Sequence, residues 1–217
     1  MKVKKTVSTK AVALILAAGL VAGGTIGGTV AWLATKSTSV VNTFTAGNID
    51  IELNETKGTV SGSENVFKMV PGTTIEKDPT VKFTSDSEAC WLFVKVVESD
   101  GASNLITTDT ADATTYIKYS VHDSWKELDG STGVYYKKLT ETEAKTGVEY
   151  TILTDNIVSV PDSVTKAMLD KVGTGVGEVN PQLTFTAYAI QQTGFDDSGD
   201  EQVNAKKAWA EVSNLGS

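Results

Sequence analysis

Residues 90–97, CWLFVKVV, limit more than any other segment what this chain can fold into. Read as a strand, Cys90, Leu92, Val94 and Val96 share one face, while Trp91, Phe93 and Val97 share the other with Lys95 between them. Successive side chains of a strand point to opposite sides of its sheet. A strand apolar on both sides therefore needs cover on both, which puts it in the middle of a sandwich.

The rest of the chain supplies partners of the same kind. Ile49, Ile51 and Leu53 alternate with Asp50 and Glu52, and Ile117, Tyr119 and Val121 alternate with Lys118 and Ser120. Such period-2 alternation marks half-buried strands. Residues 125–128 and 134–139 flank Asp129-Gly130-Ser131-Thr132-Gly133, a hairpin signal. Residues 150–153 and 157–160 read as two short strands, and 183–190 (LTFTAYAI) as a closing strand. Residues 72–78, 100–103 and 107–115 read as loops, the first bounded by Pro71 and Pro79. Two segments read as helices. Asp162 or Ser163 caps residues 164–172, with Met168 and Leu169 inward and Gly173 as the stop. Residues 201–212 carry Ala205, Ala208, Trp209 and Val212 in one helical stripe, with Val203 off it. Many short strands with regular turns predict an all-β antiparallel β-sandwich with one or two short helices, not an α/β fold.

Composition removes several functions. All 19 basic residues are lysine, against 27 acids, for a net charge of −8. The first 31 residues hold four lysines and no acid, which leaves 15 lysines against 27 acids, or −12, in the remainder. That balance argues against nucleic acid as a partner, since phosphates need basic neutralisation. One cysteine, Cys90, makes no internal disulfide, and with one histidine, His122, the chain lacks the usual structural zinc set.

Lys2, Lys4, Lys5 and Lys10 precede an uncharged apolar run over residues 11–33. A basic start and apolar run form a secretory signal, here read as residues 1–31 with cleavage at Ala31 after Thr29-Val30. The run is also close to the ~20 residues of a membrane span, so the rival reading is a retained anchor. Gly23, Gly24, Gly27 and Gly28 favour cleavage. There is no twin arginine, no lipoprotein cysteine after the run and no sorting signal near the C-terminus.

Beyond it, Ala31-Trp32-Leu33-Ala34-Thr35 leads into Asn42-Thr43-Phe44-Thr45-Ala46-Gly47-Asn48-Ile49-Asp50-Ile51. Together with Met69-Val70-Pro71-Gly72, Val81-Lys82-Phe83-Thr84 and residues 91–96, this resembles the TasA/camelysin family over about residues 1–97. The resemblance implies a secreted Gram-positive protein with a jelly-roll-like sandwich and a signal removed by a dedicated signal peptidase. Its best understood members build biofilm-matrix fibres, in which the mature N-terminal segment completes the sheet of the next subunit. Some relatives have been described as metalloproteases.

Candidate chemistry is sparse. His122-Asp123 is the only place for an imidazole base, and one histidine forbids HExxH, whose two imidazoles hold the zinc. Asp196, Asp197, Asp200 and Glu201 form an acidic cluster of oxygen donors that suits calcium, but the order is not that of an EF-hand, and the reading favoured is a solvated turn whose acids precede a helix N-terminus. Cys90 reads as a small buried hydrophobe. Residues 32–41 (WLATKSTSVV) are a β-prone segment freed by cleavage, with Trp32, Leu33, Thr35, Ser37, Ser39, Val40 and Val41 as candidate polymerisation residues. A strand added to a neighbour's edge gains main-chain bonds and side-chain pockets, and a head-to-tail contact that does not close makes a filament. The residues alone favour pairing of this segment within its own subunit, or no fixed structure; the resemblance turns the reading towards polymerisation.

The expected organisation is a signal at 1–31, a donor-strand-like segment at 32–42 and one sandwich domain at 43–217. The expected role is a non-enzymatic subunit of extracellular fibres, in the matrix or at the cell surface. Its partners would be other copies of itself and, during export, a signal peptidase, with a minor accessory fibre protein as a further candidate. No cofactor is expected beyond the calcium candidate. The alternatives are a camelysin-like surface metalloprotease and a monomeric adhesin held by an uncleaved anchor.

Overall fold

The segment apolar on both faces does become a central strand. In a computed structural model the described residues are 34–37, 49–57, 59–61, 64–99, 102–104, 115–173 and 179–213, all within the unit Trp32–Ser217. The strands are β1 (Ala34–Ser37), β2 (Ile51–Asn54), β3 (Thr59–Ser61), β4 (Glu64–Val66), β5 (Thr74–Glu76), β6 (Thr80–Phe83) and β7 (Cys90–Ser99). They continue as β8 (Ala102–Asn104), β9 (Ile117–Val121), β10 (Lys126–Glu127), β11 (Val134–Leu139), β12 (Glu149–Thr151), β13 (Leu153–Ser159) and β14 (Gln182–Gln191). The helices are α1 (Lys166–Leu169) and α2 (Glu201–Val212).

The largest sheet has the order β1-β14-β7-β11-β10. Two smaller sheets, β12-β6-β2 and β5-β13-β9-β8, share its core, and β3-β4 form a sheet of their own. Among the described strands, all pairings are antiparallel except β8 with β9. The fold is the all-β sandwich class that the alternation predicts, with two helices among the described residues.

Strand β7 explains the architecture. Cys90, Leu92, Val94 and Val96 pack with Phe185, Ala187 and Ala189 of β14, and with Ile51, Leu53, Val81, Phe83, Val121, Leu153 and Val158 of the smaller sheets. On the other face, Trp91 and Phe93 join Tyr136, Tyr188 and Ile190 beneath Ala205, Ala208 and Val212 of α2. Trp209 leans its ring on Tyr188 at 5.1 Å and on Phe93 at 5.4 Å. Burying a large apolar side chain is worth about 1.5–3 kcal/mol, so both covers of β7 contribute substantially. Helix α2 starts at Asp200, whose Oδ1 accepts the N–H of Gln202 at 2.8 Å and of Val203 at 3.3 Å. Val203 faces solvent, as its place off the stripe requires.

Several boundaries differ from the sequence reading. The first helix covers only Lys166–Leu169, capped by Thr165 rather than Asp162 or Ser163. Val164 is buried beside Ile117 and Val160, and the Thr165 hydroxyl accepts the Met168 N–H, so the helix begins after it. The two strands expected around 150–160 are instead β12 and a longer β13. The latter runs through Asp155 and Asn156 at φ 54° and 56°, and the register with β9 shifts there. Asp and Asn tolerate this left-handed conformation better than other non-glycine residues, so a bulge replaces a break. Ala102 and Ser103, expected in a loop, lie in β8, and the loop expected at 72–78 contains β5. Of the loop expected at 107–115, only Thr115 is described, and it is buried. The first sandwich strand is Ile51–Asn54, shorter than its pattern suggested.

Candidate functional site

Strand β14 is ten residues long and pairs along its whole length with β7. On its other side lies β1, the N-terminal strand of this same chain. Ala34 pairs with Ile190, Thr35 with Ala189, Lys36 with Tyr188 and Ser37 with Ala187. The sequence ATKS holds no apolar side chain larger than alanine. Ala187, Ala189 and Ile190, in contrast, are fully buried.

The other sheet edges are short. Strand β10 is two residues, one lysine and one glutamate; β5, β8 and β12 are three residues each, and β2 is four. Short or charged edges give a foreign strand little to pair with. Strand β14 differs because a ten-residue ladder lies directly behind a four-residue edge strand.

Thr35 and Ser37, two of the candidate polymerisation residues, therefore lie in β1 and pair within their own chain. Trp32, Leu33, Ser39, Val40 and Val41 lie outside the described residues, as do Ala31 and the whole 1–31 segment. No helix among the described residues is long and apolar enough to cross a membrane.

The contacts of the imidazole differ from those of a serine triad. His122 Nδ1 is 2.8 Å from Ser124 Oγ, 3.1 Å from the Ser124 N–H that it accepts, and 3.2 Å from Asp123 Oδ1. A serine triad needs the acid and the nucleophile on different ring nitrogens, whereas here both approach the same one. The contacts describe an exposed turn. Beside it, Lys137 Nζ donates to Ser124 O at 2.7 Å and sits over the rings of Trp125 at 4.9 Å and Tyr150 at 5.3 Å. Burial lowers the Lys137 pKa, against the raising charges of Glu143 and Asp123.

The acidic cluster is dispersed among partners. Asp196 Oδ2 meets Lys138 Nζ at 2.7 Å and its Oδ1 accepts from Asn204 at 3.0 Å. Asp197 meets Lys207 at 2.6 Å, which lowers its pKa through the hydrogen bond first. Asp200 caps α2, and Glu201 meets Lys126 at 2.8 Å. Among the described residues, no group of three or more His, Cys, Asp or Glu is arranged to hold a metal ion. Cys90 is fully buried, and burial, followed by the charge of Glu143, pushes its thiol up to about 12.

Sequence reasoning found β14 as a strand and 32–41 as a β-prone segment, but not that the two meet. Nothing in their spacing carries that information, because the pairing joins residues about 150 positions apart. It also missed the β3-β4 hairpin, whose strands hold one valine each, Val60 and Val66, too few to show an alternation. No protein-family profile, curated protein or solved structure matches the chain.

Proposed function

We propose that this chain is a secreted structural protein, the subunit of an extracellular fibre of the TasA/camelysin kind, assembled by exchange of its N-terminal strand between copies. One observation carries the reading: the long β14 ladder is edged by the chain's own N-terminal strand, which has almost no apolar side chain to hold it. A strand at the end of a chain, attached by backbone pairing to an edge, is the element that copies can swap. Swapped head to tail, the contact does not close on itself and propagates as a filament.

The register sets the extent of the donated strand. Carried on unchanged, it would put Leu33 opposite Gln191 and Asn42 opposite Gln182, so that residues 33–42 match all ten of β14. The donor would then bring Leu33, Val40 and Val41 to the ladder, and the main-chain bonds would be those of β-augmentation. Residues 43–48 would remain as the tether to the sandwich, reaching about 20 Å when extended. The role is structural rather than catalytic, its site is the cell surface or matrix, and its partner is another copy.

Removal of residues 32–41 tests the reading. The truncated protein is expected to stay folded, with a cooperative but lower melting transition and a β-type circular dichroism spectrum, and to form no filaments by negative-stain electron microscopy. Filaments from it would overturn the proposal. Intact mass and N-terminal sequencing of protein recovered from culture should show a start near Trp32. A retained 1–31 segment in the membrane fraction, without filaments, would favour the anchored adhesin.

A further inference from the structure

Residues 32–217 hold three sulfur atoms, those of Met69, Cys90 and Met168. Cys90 is fully buried, and its thiol, pushed up to about 12, is far from the thiolate that oxidants attack. The two methionines are only half-buried, and both pack against one small cluster made of Ile117, Val160 and Val164. This cluster is a satellite of the main core, joined to it through Ile75 of β5 and Leu183 of β14, which pack against both.

Helix α1 depends on the satellite. It has four residues, none of them buried, and a helix of that length does not stand alone in water. Its hydrogen bonds are local. Met168 N–H donates to Thr165 O at 3.1 Å, Asp170 N–H to Lys166 O at 2.9 Å, and Lys166 Nζ to Asp170 Oδ2 at 2.7 Å. Among the described residues, none of them reaches a strand. What ties α1 to the sandwich is the packing of Met168 and Leu169 beside the buried Val164. Met69, from the segment between β4 and β5, packs against the same cluster. Two segments distant in sequence therefore each bring one thioether to it. The two larger clusters contain no methionine.

A thioether is soft and apolar, and an oxidant of the peroxide class converts it to a sulfoxide. The sulfur lone pair takes one oxygen as the O–O bond breaks. The sulfur gives up two electrons, and hydrogen peroxide leaves as water. The product carries a strongly polar S–O group, to which the aliphatic side chains of Ile117, Val160 and Val164 offer no donor. A polar group is not held in such surroundings without a partner, so the oxidised side chain turns to water and gives up its packing.

We infer that Met69 and Met168 are an oxidant-sensitive latch on α1: their conversion to sulfoxides by a peroxide frees the helix from the sandwich and leaves the rest of the fold in place. Reduction of the sulfoxides reseats the helix. The latch is independent of the fibre reading.

Trypsin reads its state. Lys166 begins α1 and Lys171 closely follows it, while Lys95 lies in the central strand β7. A protease cuts a folded chain where it has opened locally. The full chain is treated with hydrogen peroxide, and oxygen additions are located by peptide mass. One oxygen is expected on each of Met69 and Met168 and none on Cys90. Cleavage after Lys166 and Lys171 should become at least tenfold faster, with cleavage after Lys95 unchanged. Methionine sulfoxide reductase should restore the slow cleavage. The variant Met69→Leu with Met168→Leu conserves apolar volume, and its cleavage should not respond to peroxide. Both methionines oxidised without faster cleavage would overturn the latch, as would methionines that peroxide leaves untouched in the folded protein. Cleavage after Lys95 rising in step would also overturn it, because the whole sandwich would then have opened. So would a leucine variant that opens under peroxide as the parent does.

Discussion

Proline at Thr35 and at Lys36, introduced one at a time, separates strand exchange from every reading in which β1 is only a fixed edge. In an antiparallel pair, successive residues turn their N–H groups alternately towards and away from the partner. Strand β1 has β14 on one side and, among the described residues, no strand on the other. One of the two prolines therefore deletes a bond to β14, and the other sits on the outward side, where an edge strand tolerates it. A lost main-chain bond costs about 1 kcal/mol. In an exchange the same β1-β14 pairing is present before and after, once within a copy and once between copies. The loss therefore cancels from the assembly equilibrium and acts on the release of β1 from its own subunit. A change of about 1 kcal/mol in that barrier speeds release about fivefold. Seeded elongation followed by light scattering should accelerate about fivefold for the bond-deleting proline. Its critical concentration, measured by sedimentation, should match the parent's. The outward proline should leave both quantities unchanged. A critical concentration raised about fivefold with no faster elongation would refute the reasoning, because the pairing would then exist in the fibre alone.

Four further outcomes follow from particular contacts. Gly133 has φ 69°, and a Cβ there would lie 2.3 Å from Val96 O, whereas Gly130 has φ 78° and open space around it. Gly133→Ala should cost about 3 kcal/mol and lower Tm by about 6–12 °C, while Gly130→Ala should cost about 1 kcal/mol; equal melting shifts would show that the Val96 contact is not limiting. At Asp78, burial raises the pKa but is outweighed by hydrogen bonds from Thr56 and Lys57, which hold it below its ordinary 3.8. Its contribution is therefore present above that value and lost as pH falls through the lower folded value, so Asp78→Asn should flatten the acid limb of a stability curve below about pH 4. With the Cys90 thiol buried and pushed up to about 12, a thiol reagent at pH 8 should label the native protein only at its unfolding rate; fast stoichiometric labelling would contradict the burial. Because residues 32–217 carry −12, copies repel at low salt. Raising ionic strength from about 0.01 M to 0.15 M shortens the screening length from about 30 Å to 8 Å and should lower the critical concentration for filaments; no salt dependence would show that charge does not limit their approach.

Burial was legible where the pattern was local. The two faces of residues 90–97 announced two covers, and the stripe of Ala205, Ala208, Trp209 and Val212 announced one of them, because both periodicities are properties of a single segment. Boundaries were less legible where a side chain elsewhere decides them. Thr165 starts α1 because Val164 is drawn into a cluster with Ile117 and Val160. Strand β13 survives Asp155 and Asn156 because these residues accept positive φ, and Asn156 O still receives the Lys77 N–H at 2.8 Å.

The candidate site lies on the illegible side of that line for a physical reason. Alternation says which face of a strand is buried, but two strands with matching faces can pair in any order, so the identity of the neighbour is not written in either. ATKS lacks even the alternation, since alanine is its largest apolar side chain. The same poverty that hides β1 from sequence reading leaves it little apolar side chain with which to hold β14. A strand held mainly by backbone bonds can be replaced by an identical strand from another copy at no cost in side-chain burial, which a strongly apolar edge strand could manage only by exposing its own core face during the transfer. On the proposed fibre reading, weak sequence signal and exchangeability have one cause, so the segment that carries the proposed function is also the one that periodicity is least able to find.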